Sequence, residues 1–95
     1  MKSARSQCSD AFQNAAMRIS KKYRVRIAVG SVHVERRIER GDGTDTLDCS
    51  VSVSEGGSSQ SDRWTAEWRP GEAVTLLSVT LLGAELVDEV VKGTQ

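Results

Sequence analysis

The chain has 95 residues, 13 basic against 13 acidic side chains, and 38% hydrophobic and 27% charged content. That is enough for one domain with a modest core, too little for two cores, and too rich in apolar residues for a wholly disordered chain. The longest apolar run, AVTLLSVTLLGAELV, is interrupted by Thr, Ser, Gly and Glu, so no segment reaches the roughly 18 apolar residues that a transmembrane helix needs. No membrane association is expected.

The N-terminus, MKSARSQCSDAF, has no apolar segment of the signal-peptide kind, and a cytoplasmic protein is expected. Residues 1–7 are expected to be disordered. Cys8, Ala11, Phe12, Ala15, Ala16, Ile19 and Tyr23 then recur at three- and four-residue spacing, the stripe of an amphipathic helix. Asp10 with Gln13 fits a capping box at its start. Arg18, Lys21 and Lys22 fall in the last turns, where the helix dipole favours cations.

The stretch RVRIAVGSVHVERRIER follows. Val25, Ile27 and Val29 are apolar at odd positions, whereas Val32, Val34 and Ile38 are apolar at even ones. The phase changes at Gly30-Ser31, which suits a type II′ hairpin, and a β-bulge within one long strand would restore the phase equally. The hairpin is preferred, because it gives strands matched in length to those that follow. Leu47, Cys49, Val51 and Val53 alternate in the next strand, EGGSSQSD reads as a flexible turn, and Trp64, Ala66 and Trp68 alternate in a fourth strand closed by Pro70-Gly71. The rest, GEAVTLLSVTLLGAELVDEVVKG, reads as a helix of about six turns, although its Val and Thr content would also suit a fifth strand. Residues 93–95 would form a frayed tail. The expected architecture is therefore a single α+β domain over 1–95: N-terminal helix, four-stranded antiparallel meander, long C-terminal helix, with both helices on one sheet face.

The order helix, strands, helix is similar to that of double-stranded RNA-binding domains. The order four strands then helix resembles some single-strand-binding transcription coactivators. The lysine cluster that opens the last helix of those RNA-binding domains is replaced here by PGEAVTLL, so the resemblance assigns no residue a role.

Charge is unevenly placed. Residues 1–40 carry ten Lys/Arg against three acids, and residues 41–95 carry three against ten. Such asymmetry marks either a basic contact face or two halves that neutralise each other on folding. In the expected register, Arg24, Arg37, Asp48 and Arg69 share one outward row, and Arg26, Glu35, Ser50 and Glu67 the next, while Arg36 faces inward beside Trp68. Arg24, Arg26, Arg37 and Arg69, with Lys21 and Lys22 from the helix end, form the candidate charged contact face. Trp64 and Trp68 share the valine face, which makes them core residues rather than base-stacking platforms.

No catalytic, cofactor-binding or metal-ligating constellation is read. His33 is alone on a strand, the two cysteines are too far apart for a CxxC pattern and read as buried free thiols, and RGDGTDTLD lacks the EF-hand spacing. The apolar arc of the expected last helix is wider than one sheet face needs, so Val74, Leu77, Leu81 and Leu82 are expected to carry self-association, giving a homodimer. The leading expectation is a non-enzymatic protein that works by protein–protein contact, of the kind found among phage and mobile-element inhibitors of host defence complexes (the anti-CRISPR type). The alternative is a DNA- or RNA-binding domain using the arginine-rich face.

Overall fold

The computed structural model describes residues 3–69, 71–72, 74–81, 84–87 and 89–92. Helix α1 spans Ala4–Tyr23, and five strands follow: β1 (Ile27–Glu39), β2 (Asp45–Glu55), β3 (Ser58–Trp68), β4 (Thr75–Leu81) and β5 (Ala84–Leu86). A single turn of helix, α2 (Glu89–Lys92), ends the described chain. The strands form one antiparallel meander in the order β1-β2-β3-β4-β5. The expected four strands and long C-terminal helix are thus replaced by five strands and a four-residue helical turn, and the likeness in element order to the RNA-binding domains and coactivators lapses with that helix.

Helix α1 packs on one face of the sheet through Cys8, Phe12, Ala15, Ala16 and Ile19, the stripe expected from the spacing. Its start lies earlier than the capping box at Asp10. Ser3 is the N-cap, its hydroxyl accepting from Ser6 N at 3.2 Å, and residues 4–7 form the first turn. Arg24 closes the helix in the left-handed conformation (φ 55°), with its N–H on the Ser20 carbonyl. Beneath the helix lie Leu47, Cys49, Val51 and Val53 of β2, Trp64 and Ala66 of β3, and Leu76 and Val79 of β4, all buried. Phe12 and Trp64 meet at 5.1 Å between ring centroids, tilted by 60°, the edge-on geometry favoured by ring quadrupoles. Val91 of α2 is buried on the same side, and Arg18 Nη2 donates to its carbonyl at 3.0 Å. The expectations for residues 1–2 and 93–95 lie outside the described residues.

Gly30-Ser31 is a bulge, not a hairpin. Val29 pairs with Val53 and Val32 with Val51, so three steps on β1 meet two on β2. Gly30 also lacks the positive φ that a type II′ turn requires. A second bulge lies between Val34, opposite Cys49, and Arg36, opposite Asp48. It puts Arg37, opposite Leu47, on the helix side and turns Arg36 outward, the reverse of the expected row. The true tight turn is Gly56-Gly57, with φ 55° and 89°, and the serines read as a flexible turn continue β3 to Ser58, opposite Glu55.

The segment read as helix forms β4 because its apolar spacing of three has another origin. Leu76 opposes Ala66 and Val79 opposes Trp64, with a register shift between them. A bulge at Leu77-Ser78 therefore gives an i, i+3 buried pair within a strand, and Val and Thr supply the strand preference.

Candidate functional site

Among the described residues no element packs on the sheet face opposite α1. Across it, β2 presents Thr46, Asp48, Ser50, Ser52 and Ser54; β3 presents Ser59, Ser61, Arg63, Thr65 and Glu67; β4 adds Thr75 and Ser78. The face follows from strand alternation: Thr46, Asp48, Ser50 and Ser52 of β2 and Arg63 and Thr65 of β3 each sit between buried neighbours. Its hydroxyls pair among themselves: Ser50 Oγ lies 2.9 Å from Ser61 Oγ, and Thr65 Oγ1 lies 2.6 Å from Ser78 Oγ. Arg63 grips Asp48 with both arms, Nε to Oδ1 at 2.7 Å and Nη2 to Oδ2. This bidentate contact holds the Arg63 guanidinium further above its ordinary pKa. A shallow depression of about 350 Å³ runs between Glu35, Asp48, Ser50, Ser61 and Arg63. His33, Arg36 and Ile38 of β1 border the face, exposed.

The candidate charged contact face does not form one surface. Lys21, Lys22, Arg24 and Arg26 gather where α1 ends and β1 begins, all exposed, with Lys22 Nζ 5.3 Å from the Tyr23 ring centroid. Arg37 and Arg69 lie near the other end of the sheet and are engaged there. Arg37 Nε donates to Asp45 Oδ2 at 2.5 Å, and its guanidinium carbon stands 4.9 Å from the Trp68 ring centroid. Arg69 donates through Nε and Nη2 to Thr44 Oγ1, and Arg40 Nη1 meets Glu67 Oε1 at 2.8 Å. Trp68 Nε1 donates to Gln7 Oε1 at 2.6 Å, and Gln7 Nε2 donates to the Glu72 carbonyl at 3.1 Å. This network ties the start of α1 to the loop 40–44 and the end of β3. Within that loop the Thr44 N–H donates to Asp42 Oδ1 at 2.9 Å and holds the Asp42 carboxyl below its usual range.

The candidate self-association residues are likewise redistributed. Val74 and Leu81 pack against the core, Leu77 is half-buried at the β4 bulge, and Leu82 lies outside the described residues. They do not line one helical edge, because β4 is a strand. Cys8 and Cys49 are free and buried; the Cys8 thiol beside it, together with burial, pushes the Cys49 thiol well up, so it stays protonated. Sequence reasoning missed Asp62, a carboxylate on the helix side of β3 that is only 8% exposed. Its position two residues before Trp64, in phase with Trp64 and Ala66, was the available signal.

Among the described residues no group of three or more His, Cys, Asp or Glu is placed to hold a metal ion, and no helix is long and apolar enough to cross a membrane. Comparison with protein-family models, curated proteins and solved structures found no match to the chain.

Proposed function

We propose that the protein acts by protein–protein contact through the open face of its sheet. The observation that carries this reading is the chemistry of that face. Its centre, around Ser50, Ser52, Ser61 and Thr65, is a field of short hydroxylated side chains. Serine and threonine lose little rotamer entropy when covered and adapt their hydrogen bonds to a partner. A nucleic-acid platform would want aromatic rings among cations. None of the four aromatic residues projects from this face: Trp64 is buried, Trp68 lies under Arg37, and Phe12 and Tyr23 belong to α1. A small antiparallel sheet with one open face suits an inhibitor that works by covering a surface of a larger complex, as accessory proteins of phage and mobile elements do.

The experiment uses tagged protein as bait in cell lysate, with two variants. Ser52→Arg with Ser61→Arg places two long cations at opposed positions in the middle of the face. Lys21→Glu with Arg24→Glu and Arg26→Glu reverses the basic cluster. The proposal expects the first variant to remain folded by circular dichroism yet lose a discrete partner that the second retains. The opposite sensitivity would favour the nucleic-acid alternative.

A further inference from the structure

β1 is the longest strand, 13 residues, and it lies at the edge of the sheet, so among the described residues no strand pairs with its outer side. A bare edge is a template for a further strand. The two halves of β1 differ in how far they are guarded. The first half carries the bulge at Gly30-Ser31, and Arg5 Nε of α1 donates to the Val32 carbonyl at 3.0 Å. Beyond the second bulge, residues 36–39 run without a register shift opposite 45–48, and residues 35–40 are all exposed.

The hydrogen-bonding direction of that second half follows from Arg40, the next residue, whose N–H donates inward to the Thr44 carbonyl at 3.2 Å. Backbone groups alternate in direction along a strand. Ile38 therefore also faces β2, while the N–H and C=O of Arg37 and Glu39 point to the open edge. The Arg37 and Glu39 side chains lie on the helix side, opposite Leu47 and Asp45, and that of Ile38, 41% exposed, lies on the outer side. Among the described residues no cation pairs with Glu39, and Arg37 commits only its Nε to Asp45, which leaves its terminal nitrogens as donors.

We propose that residues 36–40 pair antiparallel with the same residues of a second copy of the chain, about a two-fold axis through Ile38. Arg37 of each copy then opposes Glu39 of the other. Each such pair exchanges both of its outward backbone hydrogen bonds and joins opposite charges. Ile38 meets Ile38 of the second copy across the axis. Opposite residues share a sheet face, so the axis must pass through a residue and not between two. Centring it on Arg37 or Glu39 would set like charges face to face, and centring it on His33 would need the Val32 carbonyl that Arg5 holds. One unfavourable pair is left, Arg36 opposite Arg40, and Glu67 already neutralises Arg40. The two-fold puts both open faces on the same side of one continuous sheet, and the dimer stands or falls independently of what those faces bind. A ladder this short covers little surface, and small contacts of this kind are transient.

The test is sedimentation equilibrium of the full chain from micromolar to millimolar concentration, where the mean mass is expected to rise from that of one chain towards that of two. In parallel, amide hydrogen exchange should slow with concentration at Arg37 and Glu39 but not at Ile38, whose N–H already faces β2. Glu39→Arg sets like charges across both symmetric pairs and should weaken the dimer by about tenfold or more. Arg36→Glu turns the unfavourable pair into a favourable one and should tighten it severalfold, with an unchanged circular dichroism spectrum. A single-chain mass up to millimolar concentration would overturn the proposal and leave the edge to a strand of another protein. A dimer indifferent to both substitutions, or one whose added protection falls elsewhere, would overturn it too. If Glu39→Arg does not fold, Arg36→Glu and the exchange pattern of the unmodified protein still decide.

Discussion

Arg37 lies over the Trp68 ring and donates to Asp45, a carboxylate only 6% exposed. Removing its side chain would strip a cation from an indole face and leave a buried acid without its charged partner. Arg36, one position earlier, is exposed on the outer side. Arg37→Ala is therefore expected to cost about 1–2 kcal/mol of unfolding free energy, and Arg36→Ala to stay within about 0.5 kcal/mol of the parent. Urea titration of the two variants reads the difference. An equal cost, or a larger one for Arg36→Ala, would mean that the second bulge of β1 is not where the structure has it.

At the scale of elements, the bulges decide both what β1 is and what could be read beforehand. Gly30 has no positive φ, and a Cβ built on it would meet Ser52 Oγ at 3.6 Å and Ser52 Cβ at 3.7 Å, ordinary contact distances. Gly30→Ala should thus be neutral or stabilising by up to about 1 kcal/mol, whereas Gly57→Ala, at φ 89°, should destabilise by about 1 kcal/mol or more. Thermal melts of the pair check this; a collapse of stability in Gly30→Ala would restore the hairpin. The stripe of α1 and the alternation of β2 and the second half of β3 were legible because each buries one face continuously, so residue type repeats with the backbone period. Three features escaped for one reason: the repeat was broken or unmarked. In β1 an extra residue shifts the phase twice, which hid the exchange of Arg36 for Arg37. In β4 a bulge spaces Leu76 and Val79 by three and imitates a helix. At Ser58–Ser61 both faces of the strand are polar, so pairing with residues 52–55 leaves no apolar trace. The candidate cations were identifiable as residues, but their grouping depended on that register.

At the scale of the whole molecule, folding offsets part of the charge asymmetry of the sequence. Arg37 and Arg40 from the basic half engage Asp45 and Glu67 from the acidic half. What remains is one concentration of exposed cations, Lys21, Lys22, Arg24 and Arg26, at the junction of α1 and β1. The partial negative charge at the end of α1 offsets part of it. Phosphate contacts release counterions in proportion to their number, with a log–log salt slope near −0.9 per contact on duplex DNA. Four cations at one end can therefore supply a slope no steeper than about −3.6, so whatever binding exists at 50 mM salt should fall by roughly two orders of magnitude at 200 mM. A fluorescence titration with random duplex and single-stranded DNA and RNA is expected to show at most weak association at 50 mM salt and none in the micromolar range at 200 mM. The same titration with Lys21→Glu/Arg24→Glu/Arg26→Glu should abolish the low-salt signal, whereas Ser52→Arg/Ser61→Arg should strengthen it by adding cations to a face whose Arg63 is already paired with Asp48. A micromolar complex at 200 mM salt with a slope steeper than −4 would require cations from both ends of the sheet to act on one ligand, and the arginine-rich strand would then be a phosphate grip rather than a neutralised edge.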